Sequence, residues 1–101
     1  MRRGTTPTIF VDNLPLPLDQ IDKLCLIFKP EKKETIILQK ELKDAFLYNN
    51  TLCFTLTQEE TLLFPVGLIR RSIILKSKSG ARMESFPDYF KVEDTALGTV
   101  I

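Results

Sequence analysis

Short apolar runs with a two-residue alternation recur along this chain, and each is closed by proline, glycine, asparagine or a charged cluster. Thr8 to Val11 (TIFV) is the first, apolar and β-branched. Lys23 to Lys29 (KLCLIFK) sets Leu24, Leu26 and Phe28 on one face and Cys25 and Ile27 on the other. Apolar groups on both faces predict a central, well-covered strand. Thr51 to Leu56 alternates with Leu52, Phe54 and Leu56 inward, and Gly67 to Lys76 reads as a long strand. Ser77 to Gly80 turns the chain into a returning strand over Ala81 to Phe86. Pro87 interrupts that strand, and Tyr89 to Val92 continues it as an edge. About six or seven short strands at roughly ten-residue spacing predict an all-β chain, a single antiparallel sandwich of immunoglobulin-like type.

The connectors fit this reading. Residues 1–7 form an extended arm, because Pro7 biases Thr6 away from helical angles. Leu14-Pro15-Leu16-Pro17 is a stiff link, Asp19 to Asp22 suits one helical turn, and Pro30-Glu31-Lys32-Lys33 is a charged turn. Asn49-Asn50 between FLY and TLCFTL suits a two-residue hairpin loop, since asparagine tolerates positive φ. Glu31 to Tyr48 is ambiguous. Leu38, Leu42 and Phe46 have helical spacing, yet Thr35-Ile36-Ile37-Leu38 is a β-branched run. The preferred reading is a strand over Thr35 to Gln39, a polar crossing at Lys40 to Asp44 and a short strand at Ala45 to Tyr48.

Length and composition narrow the function classes. The 101 residues suffice for one domain with one core, and 44% hydrophobic with 27% charged residues is an ordinary globular balance. Fourteen basic and thirteen acidic residues leave a formal charge of +1, so no global field draws in nucleic acid or an anionic membrane. Histidine is absent, which removes the commonest general base and imidazole ligand. Two cysteines are too few for a thiolate zinc site. No apolar run has the length of a signal core or a membrane span. The expectation is a soluble protein made in the cytoplasm, without metal or cofactor and not an enzyme.

Phe54 to Phe64 (FTLTQEETLLF) holds two adjacent carboxylates, Glu59 and Glu60. Neighbouring positions on a short helix point in different directions, whereas paired carboxylate catalysis needs facing groups. Thr57-Gln58-Glu59-Glu60 instead fits the S/T-x-x-E capping box of a helical turn near residues 57–62, with Thr57 and Glu60 as cap residues. Arg70, Arg71, Lys76, Lys78 and Arg82 concentrate positive charge on one presumed hairpin, a weak candidate for a phosphate-contacting patch. No aromatic residue interleaves there to stack bases, so a solvated, charge-protected edge is the preferred reading. Cys25 and Cys53 fall in predicted strands and could face one another across a sandwich; whether they pair stays open, with buried free thiols preferred.

Two segments taken together carry a resemblance. Arg3-Gly4-Thr5-Thr6-Pro7-Thr8 followed at once by a strand, and Thr55 to Phe64 (TLTQEETLLF), resemble small uncharacterised proteins encoded by phages and prophages of Gram-positive bacteria. The resemblance implies a β-sandwich encoded among tail or baseplate genes, with no catalytic residue to carry over. It implies a structural or accessory role through protein–protein assembly, with virion components or further copies of itself as partners and the host cytoplasm or the virion as its place. An alternative is a phage-encoded binding module acting on a host protein such as a defence enzyme. Edge strands such as Thr8 to Val11 are the expected place for pairing with another copy.

Overall fold

The Leu24, Leu26 and Phe28 stripe decides where the chain closes on itself. The computed structural model describes residues 1–12, 14–85, 87–96 and 100. Strand β2 (Ile21–Pro30) carries that stripe, and all three side chains are buried. It pairs antiparallel with β6 (Gly67–Ser77) from Ile21↔Ser77 to Pro30↔Ile69, with one irregularity between Ile21 and Lys23. The larger sheet runs β3 (Leu38–Glu41), β2, β6, β7 (Arg82–Glu84), and β8 (Asp88–Val92) pairs with the Gly67 end of β6. The smaller sheet runs β1 (Thr8–Val11), β5 (Thr51–Thr55), β4 (Phe46–Tyr48). The result is an all-β, sandwich-like arrangement of two antiparallel sheets, with a short helix, α1 (Gln58–Leu62), after β5.

The inward residues of both sheets share one core. Leu52, Phe54 and Leu56 meet Leu24, Leu26, Phe28, Ile69, Leu75 and Val92, and Phe64 closes the layer beneath α1. Phe28 packs edge-on against Phe64 and Phe90, with ring centroids 5.2 and 5.9 Å away. Such edge-to-face contacts each add about 0.5–1.5 kcal/mol beyond the area they bury.

Several predicted elements shift, each for a local reason. Among the described residues there are eight strands, because β8 pairs with its own stretch of β6 and is not a continuation of β7. The expected turn at Asp19 to Asp22 is a 3-10 turn over Leu18–Gln20, since Ile21 already enters β2 as a core residue. The strand expected over Thr35 to Gln39 begins only at Leu38. Glu34 is held outward by Lys29 and Arg70, and the chain joins β2 through the Ile37 amide on the Phe28 carbonyl at 2.8 Å. Lys40 and Glu41, expected in a crossing, belong to β3; the crossing itself is a 3-10 turn over Leu42–Asp44. Glu41 and Asp44 cap that turn reciprocally, and the Glu41 amide donates to Asp44 Oδ2 at 2.9 Å. Residues 1–7 are not a free arm. Gly4 bends the chain at φ +79°, and Arg2 forms a parallel bridge to Glu93. The predicted end of the returning strand at Phe86 lies outside the described residues.

Candidate interaction surface

Alternation along the smaller sheet sends two sets of side chains in opposite directions. Ile9, Val11, Leu52 and Phe54 turn toward the core. Thr8 and Phe10 of β1, Thr51, Cys53 and Thr55 of β5, and Phe46 and Tyr48 of β4 take the outer face. The register places Phe10 beside Cys53 and Phe46 on its other side, so the three form one row across the sheet. Cys53 between them is fully buried, while Phe10 and Phe46 stay half exposed, at 50% and 46%. Cys53 Sγ has its own partner, the Thr51 carbonyl at 3.4 Å. Next to this row, Leu47 is 58% and Tyr48 61% exposed.

Two asparagines put β4 there. Asn49 and Asn50 adopt φ of 50° and 61°, the left-handed pair of a type I′ turn, so Tyr48 pairs directly with Thr51. All three β4 side chains are solvent-exposed, and β4 has β5 on one side and no strand on the other among the described residues. An uncharged aromatic edge strand with this exposure is an unusual feature for an isolated soluble domain.

The Thr57 corner is structural in its details. Thr57 Oγ1 accepts from the Glu60 amide at 3.1 Å, and Glu60 Oε1 accepts from the Thr57 amide at 2.9 Å. Burial alone would raise the Glu60 pKa. The Lys40 ammonium and the Thr57 amide outweigh it and hold the carboxyl below its ordinary value. Glu59 and Glu60, consecutive on α1, point in different directions from the helix. The same corner holds the N-terminal segment: Gly4 N–H donates to Thr61 Oγ1 and the Thr61 hydroxyl to the Thr5 carbonyl, both at 2.9 Å. Arg3 reaches the Leu62 carbonyl at 2.9 Å and the Leu56 amide the Pro7 carbonyl at 3.0 Å. RGTTPT and TLTQEETLLF, far apart in sequence, thus form one interlocked unit.

The structure brings Lys76 and Arg82 together as register partners of β6 and β7, on the face of β6 that also carries Arg70, and turns Arg71 away. Arg70 and Arg71, consecutive on β6, point to opposite faces. Arg70 pairs with Glu34 at 2.9 Å, Arg71 with Asp88 at 2.7 Å, and Arg82 with Glu84 at 3.5 Å, while Lys76 and Lys78 are exposed. Cys25 and Cys53 are both free; Cys25 lies on the outward face of β2, where Gln39 donates to its sulfur at 3.6 Å. A groove of about 470 Å³ runs between β1 and β8, with Met1, Phe10, Tyr89 and Phe90 in its walls and the closed Arg71–Asp88 ion pair at one end. Among the described residues no group of acidic, cysteine or histidine side chains has the arrangement of a metal site, and no helix is long and apolar enough to cross a membrane.

The outer face of the smaller sheet was only partly legible in sequence. Phe46 and Tyr48 show the alternation, but which side of β4 lacks cover depends on sheet order. Comparison with protein-family models, with curated proteins and with solved structures finds no match.

Proposed function

We propose that this chain is a non-enzymatic assembly protein of a phage or prophage, a structural or accessory component of the tail or baseplate region. The observation that carries an assembly role is the half-exposed pair Phe10 and Phe46 flanking the buried Cys53 on the outer face, with Tyr48 exposed on the same face and Leu47 exposed on the other side of the edge strand. Aromatic side chains that are rigid, apolar and already presented are the residues that dominate binding energy at protein interfaces. The phage context comes from the resemblance of the RGTTPT and TLTQEETLLF segments.

Mass spectrometry of purified particles tests this reading. The chain is expected among the virion proteins, and Phe10→Glu, placed on a half-exposed side chain, is expected to reduce its incorporation while leaving the fold intact. Particles that contain no trace of the chain would remove the tail assignment. Retention of one stoichiometric host enzyme in its place would move the role to the host protein.

A further inference from the structure

We propose that β4 pairs with β4 of a second copy, forming a two-fold dimer centred on Leu47. This rests on the assembly reading above and names the partner for the edge of that face. Antiparallel ladders alternate hydrogen-bonded and non-hydrogen-bonded pairs. Tyr48 and Thr51 flank the two-residue turn and form the bonded pair, so at Leu47 the N–H and C=O point away from β5. An antiparallel partner with Leu47 opposite Leu47 takes up both groups, each copy donating one bond and accepting one.

The strand is complementary to itself in that register. Phe46 of each copy stands beside Tyr48 of the other, on the outer face, where cross-strand aromatic pairs are favourable. The row Phe10–Cys53–Phe46 then continues into Tyr48 and Thr51 of the second copy across a six-stranded sheet. Beyond the strand, Ala45 falls opposite Asn49 and Asp44 opposite Asn50, so no charge meets its like. The other sheet edges lack this property. β3 carries Lys40 and Glu41, β7 carries Arg82 and Glu84, and β8 carries Asp88 and Lys91. Strand β1, the edge expected to pair, lies between Pro7 and Asp12 and faces the groove shared with β8. Proline and charge are the usual protections of an edge, and β4 has neither.

The size of the patch sets the strength. Phe46, Leu47 and Tyr48, the side chains of the pairing strand, together expose roughly 300 Å², taking about 150–250 Å² for a whole aromatic side chain. That is less than half of the ~800 Å² per partner in a stable complex. The dimer is therefore concentration-dependent and not permanent.

Analytical ultracentrifugation from about 1 μM to about 1 mM spans the affinities expected of such an interface. The apparent mass is expected to rise from the 11.6 kDa of one chain toward twice that value. Leu47→Lys sets two ammonium groups across the axis on a position already 58% exposed, and is expected to stay monomeric with an unchanged circular dichroism spectrum. Leu47→Cys is expected to form a disulfide-linked dimer on mild oxidation, since bonded strand pairs hold Cα atoms about 5.5 Å apart. A monomer throughout the range, association of Leu47→Lys equal to wild type, or no covalent dimer from Leu47→Cys would each overturn the proposal. A monomer that still enters particles overturns the dimer and leaves the assembly role; a dimer absent from particles does the reverse.

Discussion

Replacing the Thr61 hydroxyl by a methyl group, as in Thr61→Val, keeps the side-chain outline but takes the partner from three backbone groups at once. The Gly4 N–H and the Thr5 C=O both meet that oxygen at 2.9 Å, the Gln58 C=O meets it at 3.1 Å, and Thr61 is fully buried. Removing it is expected to cost about 1–3 kcal/mol, the penalty for leaving buried polar groups without partners. Urea unfolding checks the magnitude, and hydrogen exchange at the Gly4 amide is expected to accelerate more than exchange in β2. Thr57→Ala is expected to cost about 1 kcal/mol by the loss of a helix cap, read as a lower urea midpoint. Thr57 and Glu60 were legible because a capping box is written within four consecutive residues. Thr61 was not, because its partners in the N-terminal segment, Gly4 and Thr5, lie 57 and 56 positions away.

At the scale of elements, strands were legible where alternation and turn chemistry agreed. β1 matches its predicted span, and the Asn49-Asn50 hairpin has the expected positive φ at both positions. Asn50→Ala places a Cβ in a left-handed conformation and is expected to destabilise by about 1 kcal/mol, with Asn50→Gly close to neutral in the same thermal melts. Between Glu34 and Glu41 the register was not legible. The run Thr35-Ile36-Ile37 has the residue types of a strand, but Glu34 is tied to Lys29 and, across the sequence, to Arg70, and the strand begins only at Leu38. The Glu41–Asp44 cap was hidden because glutamate is not among the common N-cap residues. For the interaction surface, sequence alternation separates Phe46 and Tyr48 from Leu47. That β4 lies at an edge follows only from β5 taking the middle of its sheet.

For the whole molecule, acid should weaken the ties that join distant parts of the chain. Glu60 binds Lys40 and so links α1 to β3; Glu34 links the β2–β3 connection to β6; Asp94 links the C-terminal segment to Arg3. All three carboxyls lie below their ordinary pKa. For Glu34 the leading cause is the hydrogen bond from Arg70, and for Asp94 the amide of Thr95 followed by Arg3. For Glu60 burial is the largest influence and opposes the shift, but the Lys40 and Thr57 donors prevail. A carboxyl with a depressed folded-state pKa holds fewer protons folded than unfolded. Its stabilisation is therefore present above the unfolded value, about 4 for Asp and Glu, and is lost as pH falls through the lower folded value. The urea midpoint is expected to hold steady from neutral pH down to about pH 5 and then to fall through the acid range. Glu60→Gln separates the corner from the two exposed pairs. Its amide oxygen can still accept from Thr57, but the charge on Lys40 loses its partner. This variant is expected to be less stable than wild type at pH 7 and to lose less on acidification, because one of the three titrating ties is gone. An acid slope identical to wild type would show that the Glu60–Lys40 pair does not couple α1 to β3 in solution.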